Sequence, residues 1–230
     1  LRNSLFIDNT ASDLIPKTYN EYLNNGIGII TCNKIANSGT LSNYQNLKTL
    51  SRNNNCSFLY ETNVGAALPV ISTLNNLINS GDKIIKIEAV LSGTLNYIFN
   101  SFNKVDTFHK IVSKAVDLGY TEPDPKIDLC GVDVSRKILI LARESGYKIE
   151  IEDIKKNHFL PEDSIKAESK EDFLLSLEKN KDHFNSILKK AQENDSRLKF
   201  VAKLDNGKAS VGLESAVSYT HLTLPTTSKV

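Results

Sequence analysis

Three short apolar runs, separated by stretches of helical periodicity, constrain the first sixty residues more than any other feature. "SLFIDNT" (Ser4 to Thr10) is a buried strand that stops at an Asp-Asn-Thr loop with helix-capping chemistry. A helical stretch around Leu14 to Asn24 follows, and Gly26 is its stop signal. "GIGIITCNK" (Gly26 to Lys34) is a second continuous apolar strand. A helix over roughly Leu41 to Asn53 carries Leu41, Tyr44, Leu47 and Leu50, and "CSFLYE" is a third strand. Strand, helix, strand, helix, strand at this spacing is therefore a parallel α/β unit. Ligands of such sheets sit beyond the carboxyl ends of the strands, where "DNT" and "CNK" lie.

The pattern then changes. "GAALPVISTLNNLINSGDK" is an amphipathic helix with Leu68, Ile71, Leu74 and Ile78 on one face and Gly81 past its end. "KIIKIEAVL" reads as a strand. Helices are expected from about Thr94 to Asn103, Phe108 to Leu118 and Gly131 to Glu144, and "FNSILKKA" is one face of another. "RLKFVAKLDNGKASVGLESA" is a hairpin turning at "DNG". An α/β unit is thus followed by an α+β region.

With 230 residues, 40% of them hydrophobic, the chain can bury one or two cores. A net charge of +1 calls for neither nucleic acid nor an acidic membrane surface. No apolar run reaches the roughly 18 residues of a membrane span, and "LRNSLFIDNT" lacks signal-peptide anatomy. Cys32, Cys56 and Cys130 are odd in number and far apart, so they read as buried free thiols of a cytoplasmic protein. The absence of methionine and the start at Leu1 suggest an internal piece of a longer protein. "SYTHLTLPTTSKV" (218–230) breaks the pattern and reads as a non-native tail.

"GYTEPDPKIDLCGVDVSRK" (Gly119 to Lys137) crowds Glu122, Asp124, Asp128, Asp133, Arg136 and Lys137 at the mouth of one helix. Asp133 and Lys137 are four apart and share a face. A surface ion pair is the plain reading, and it contributes only a few tenths of a kcal/mol. Pro123 and Pro125 stiffen the preceding loop, so Glu122 and Asp128 are held without helical support. Rigid acids near a lysine suit a small zwitterionic substrate: the acids take its ammonium group, and the lysine serves a proton transfer. A metal-dependent enzyme chelating through Asp124 and Asp128 is the rival use.

This segment resembles the substrate loop and catalytic helix of homoserine dehydrogenases. "DNTAS" and "TCNKIAN" are similar to that family's cofactor-side loops, "YETNVGAALPVI" to its cation-binding turn and "LSGTLNYIF" to its substrate-side segment. The resemblance runs in order from about Phe6 to Ala216. It implies that Lys137 is the catalytic lysine, and that Glu122, Asp128 and Asp133 hold the substrate, with Thr94 and Asn96 lining its pocket. It implies that Thr10, Lys34 and Gly119 contact the NAD or NADP cofactor. It also implies that Glu61 and the main chain of Val64, Ala66 and Leu68 bind a monovalent cation, sodium or potassium. The activity implied is interconversion of L-homoserine and L-aspartate 4-semialdehyde, a step of threonine, methionine and isoleucine biosynthesis. The region from Leu160 to Leu213 looks more like the bifunctional aspartokinase–homoserine dehydrogenases, which implies an N-terminal aspartokinase domain in the parent chain.

The resulting expectation is the C-terminal part of a Rossmann-type nucleotide-binding domain (1–60) followed by an α+β catalytic and dimerisation domain (61–217), the parent being a homo-oligomer. The glycine-rich phosphate loop is expected before Leu1, and the family's return to the nucleotide domain has no match in 218–230. An inactive piece competent only for self-association around Leu68 to Leu91 is therefore the other reading.

Overall fold

A computed structural model of the chain describes residues 3–103 and 105–217. The expected tail, 218–230, lies outside the described residues.

Strand β1 (Leu5–Asp8) leads through a 3-10 turn (Ile15–Thr18) into α1 (Tyr19–Asn24). Then come β2 (Gly28–Thr31), the single turn α2 (Ile35–Ser38), α3 (Leu41–Asn53) and β3 (Phe58–Leu59). The three strands form one parallel sheet in the order β1-β2-β3, with Asp8 beside Thr31 and Ile30 beside Leu59. Thr40 caps α3 by accepting the Asn43 N–H at 3.3 Å. Tyr19, Leu23, Ile29 and Leu47 are fully buried and form the local core. Leu5, Ile7 and Leu59 stay 58%, 59% and 53% exposed, so apolar side chains at the sheet's flank stand uncovered.

Helix α4 (Val70–Asn79) buries Ile71 and Leu74 as expected. Leu68 does not join that face: Pro69 is the N-cap, so Leu68 precedes the helix and is 65% exposed. Next are β4 (Lys86–Ala89), α5 (Gly93–Ser101), α6 (Phe108–Asp117), α7 (Pro125–Leu129) and α8 (Val132–Glu144). Strand β5 (Lys155–Asn157) and helices α9 (Glu162–Lys166), α10 (Lys170–Lys179) and α11 (Lys181–Glu193) follow. Strands β6 (Ser196–Asp205) and β7 (Lys208–Val217) close the described chain. The second sheet has the order β4-β6-β7-β5, and β5 runs parallel to β7. The expected hairpin turns at Asn206 and Gly207, with φ +47° and +83°, the two left-handed residues of a type I′ turn.

Of the described residues, 3–86, 135–154 and 204–209 form one compact unit, and 87–103, 105–134, 155–203 and 210–217 the other. The units are therefore discontinuous in sequence. The physical reason in the first unit is α8. Ile138 to Ala142 are at most 2% exposed, so this stretch needs a core on every side. The second unit is built on phenylalanines. Phe108 stacks on Phe184 at 4.3 Å, and Phe99 meets Phe159 edge-on at 5.2 Å. Such pairs add about 0.5–1.5 kcal/mol each beyond area burial.

Candidate active site

In the first unit, the loops after β1 and β2 are locked together at the carboxyl ends of their strands. Asp8 is 1% exposed. Its Oδ1 accepts the N–H of Thr10 at 2.8 Å and the Thr10 hydroxyl at 2.7 Å, and its Oδ2 accepts the Tyr19 hydroxyl. Burial would raise the Asp8 carboxyl, but the hydrogen bonds from Tyr19 and Thr10 outweigh it and hold the group below the usual carboxylate value. Asn33 ties the second loop to the first: its Nδ2 donates to Ser12 O at 2.8 Å, and its N–H donates to Thr31 Oγ1 at 2.9 Å. Its Oδ1 accepts the Ile35 N–H at 3.0 Å, which opens α2. Lys34 is the N-cap of α2, and its carbonyl accepts both the N–H and the hydroxyl of Ser38, at 2.9 and 2.8 Å. Thr10 and Lys34 thus stand at neighbouring strand ends on rigid turns.

The same unit contains the expected cation turn. Glu61 is an external cap for α4: Oε1 accepts the Ile71 N–H at 2.8 Å and Oε2 the Ser72 N–H at 2.9 Å. Pro69 makes no side-chain cap bond, so the carboxylate supplies what the local sequence lacks. Each carboxylate oxygen keeps a further lone pair. Val64 is fully buried, whereas Ala66 is exposed and sits at φ +52°, a conformation non-glycine residues adopt at a cost. The Leu68 carbonyl accepts the Val70 N–H at 2.8 Å.

The second unit gathers the acids. The Glu122 N–H donates to Asp128 Oδ2 at 2.8 Å. Asp128 is not on an unsupported loop, as the two prolines suggested. Pro125 opens α7, where its missing N–H costs nothing, and Asp124 caps that helix by accepting the Lys126 N–H at 3.0 Å. Thr94, on α5, donates its hydroxyl to the Tyr120 carbonyl at 2.5 Å and also lies within hydrogen-bonding influence of Asp128. Burial pushes the Asp128 carboxyl up, the charges of Glu122 and Asp133 push it further, and the Glu122 N–H and Thr94 oppose them. Glu122, Asp128 and Asp133 therefore form one electrostatic cluster. Gly119 ends α6: its N–H reaches Val116 O at 2.9 Å and the Tyr120 N–H reaches Ala115 O at 2.9 Å, a Schellman stop that needs its φ of +69°. Gly131 lies just before α8 at φ +67°, and a Cβ there would meet Phe200 Cζ at 2.6 Å.

Asp133 and Lys137 both lie on α8, one turn apart, and each is half-buried. Among the described residues, no group of three or more His, Cys, Asp and Glu is placed to hold a metal ion. Asp124 and Asp128 each accept a backbone N–H, from Lys126 and Glu122. A cavity of about 710 Å³ in the second unit, lined by Phe99, Asn100, Arg197 and Lys199 among others, includes none of the candidate residues. The three cysteines are free and half-buried rather than fully buried. No helix among the described residues is long and apolar enough to cross a membrane.

Sequence reasoning passed over the end of α8. Arg143 and Glu144 are 4% and 7% exposed and carry dense hydrogen-bond networks. The signal was available: an unbroken apolar run, Ile138 to Ala142, leaves the charges that follow it no nearby solvent face.

Comparison with known proteins bears on what this arrangement serves. The family model described as "Homoserine dehydrogenase" matches residues 69–227, and "Homoserine dehydrogenase, NAD binding domain" matches residues 1–61. The bifunctional aspartokinase/homoserine dehydrogenase 2 of Zea mays is 41% identical over 203 residues, which are 88% of this chain and 22% of that protein. The homoserine dehydrogenase of Schizosaccharomyces pombe is 39% identical over 208 residues, 88% of this chain and 55% of that one. Among solved structures, a Candida auris protein of unknown function superposes with a TM-score of 0.88 at 33% identity, over 96% of this chain and 64% of that one. A hyperthermophilic archaeal homoserine dehydrogenase in complex with NADPH gives 0.69 at 25% identity, over 94% and 57%. The chain thus spans about a fifth of the bifunctional relatives' length and about half of the fission-yeast protein's.

Proposed function

This chain belongs to the homoserine dehydrogenase family, and on that premise we propose that the protein carrying it interconverts L-homoserine and L-aspartate 4-semialdehyde with NAD or NADP. The carrying observation is the cluster of Glu122, Asp128 and Asp133, with Asp133 one helical turn from Lys137. The acids take the substrate's ammonium group. Lys137 gives a proton to the aldehyde oxygen in one direction and takes it back from the hydroxyl in the other, directly or through water. A bound nicotinamide supplies or takes the hydride. Thr10 and Lys34 fit its side of the site because they stand beyond the carboxyl ends of parallel strands. Gly119 offers backbone without a side chain in the way. Thr94 orients the loop at Tyr120 and closes the substrate side. Holding the reacting carbon in register accounts for much of the rate.

A sodium or potassium ion fits Glu61 with the carbonyls of Val64, Ala66 and Leu68. A hard cation wants oxygens, and the left-handed Ala66 is the kind of cost a site retains. The bifunctional relatives support an aspartokinase domain in the same protein. Leu68, Leu77 and Ile85, 65%, 42% and 55% exposed, support a homo-oligomer. Free thiols suit the reducing cytoplasm.

The test is kinetic. In the whole protein, Lys137→Ala should lower kcat about 100-fold or more with NADPH affinity little changed. Asp133→Ala should act mainly on kcat/KM for homoserine. Near-normal turnover by Lys137→Ala would sink the acid–base assignment.

A further inference from the structure

Two adjacent residues at the end of α8 are anchored to separate parts of the first unit. Arg143 places its Nη1 on the carbonyls of Asn37 and Gly39, both at 2.8 Å. Its Nη2 donates to Glu150 Oε2 at 2.8 Å and its Nε to Ile149 O at 3.2 Å. Glu150 in turn accepts the Leu41 N–H at the start of α3, at 2.9 and 3.0 Å. The guanidinium therefore closes the end of α2, while its partner closes the beginning of α3. A lysine, with three donors on a point charge, cannot reproduce that planar fork.

Glu144 makes the second anchor. Its Oε1 accepts the Tyr44 hydroxyl at 2.5 Å and also the Tyr60 hydroxyl. Lys48 lies 3.2 Å from its Oε2 and donates to Tyr60 at 2.5 Å. The carboxylate is thus buried with a cation and two hydroxyls, the condition under which a buried charge is tolerated.

Consecutive helix residues point about 100° apart. One anchor would leave a helix free to roll; two at that angle fix both its roll and its axial position. Lys137 lies six residues earlier on the same helix, about 9 Å along the axis. Arg143 holds the turn that starts at Lys34: Asn37 and Gly39 follow that residue by three and five positions, and Ser38 bonds back to the Lys34 carbonyl. We infer that Arg143 and Glu144 are positioning residues, which fix where α8 carries the Lys137 amine and where the turn at Lys34 stands. This rests on the reading of Lys137 as the proton-transfer group. A misplacement of about 1 Å can cost on the order of 100-fold in rate.

The experiment uses the whole protein with Arg143→Lys, the double variant Tyr44→Phe/Tyr60→Phe, and Lys137→Ala as the control. It measures kcat, both KM values, NADPH affinity, the thermal midpoint and the pH profile of kcat, well below each midpoint. Both anchor variants should lose about 10-fold or more in kcat and shift the pH profile, and Tyr44→Phe/Tyr60→Phe, which leaves the Arg143 bonds to the Lys34 turn in place, should keep NADPH affinity within about 3-fold. Folded anchor variants with kcat within about 2-fold of the unmodified protein would overturn the inference, as would a kcat loss in Tyr44→Phe/Tyr60→Phe that tracks lost cofactor affinity. If Arg143→Lys does not fold, the Tyr44→Phe/Tyr60→Phe protein decides alone. Normal turnover by Lys137→Ala would instead remove the acid–base reading, a distinct result.

Discussion

The backbone N–H of Glu122 donates to Oδ2 of Asp128 at 2.8 Å, so the loop that carries one acid is closed by the other. That bond stabilises the Asp128 charge, yet its carboxyl still lies above the ordinary value of 3.8, because burial and the neighbouring charges of Glu122 and Asp133 outweigh it. The cluster is held together by the fold at an electrostatic cost, which the ammonium group of the proposed substrate would offset.

The cost has a definite pH signature. A raised carboxyl binds its proton more tightly in the folded chain, so its contribution to stability falls as pH rises from about 3.8 through the raised value. Asp128→Asn keeps an acceptor for the Glu122 N–H and removes the charge. The thermal midpoint of this variant at neutral pH should equal or exceed that of the unmodified chain, and its pH dependence in the acid range should flatten. A clear drop in midpoint would contradict the account.

Asp8 should behave with the opposite sign. Its carboxyl lies below 3.8, so the stability it contributes is present above that pH and is lost as pH falls through the lowered folded value. Tyr19→Phe removes one of its hydrogen bonds and leaves Asp8 buried. The variant should be less stable by about 1–3 kcal/mol near pH 7 and should lose part of that difference in acid. Urea midpoints at several pH values measure this, and a pH-independent difference would count against it.

Glu61 has a capping role in the structure and a separable, proposed role in cation binding. As a cap on α4 it is worth about 1 kcal/mol, so Glu61→Ala should lower the stability of this chain by that order. In the whole protein the same substitution should blunt activation by potassium or sodium. An enzyme equally active in a bulky organic-cation buffer, with or without Glu61, would leave only the capping role.

Gly131 is required twice, by its φ of +67° and by Phe200 Cζ, 2.6 Å from where a Cβ would stand. Gly131→Ala should destabilise the chain by about 1–3 kcal/mol. A shift of several degrees in thermal midpoint would show it, and an unchanged midpoint would mean that Phe200 moves aside freely.

Much of the architecture could be read from local sequence. The helix expected at Leu41 to Asn53 is α3 residue for residue, because a threonine cap and an apolar repeat act within a few positions of each other. The hairpin at Asn206–Gly207 follows from turn chemistry in the same way. Helix α7 was missed because two prolines in four residues look like a loop, although one of them is a good first helical residue. Leu68 was placed on a helical face because periodicity does not register where Pro69 starts the helix.

The sequence by itself determined the parallel order of elements, the acids around Glu122 and the one-turn spacing of Asp133 and Lys137, since each depends on residues near in the chain. Only the tertiary structure decided what those groups cost and what holds them. The rise of the Asp128 carboxyl depends on burial and on charges brought close by folding. Arg143 reaches Asn37 across 106 positions and Tyr44 meets Glu144 across 100. Such contacts leave no local pattern, because hydrogen bonds and desolvation act over a few ångströms in space, whatever the separation along the chain.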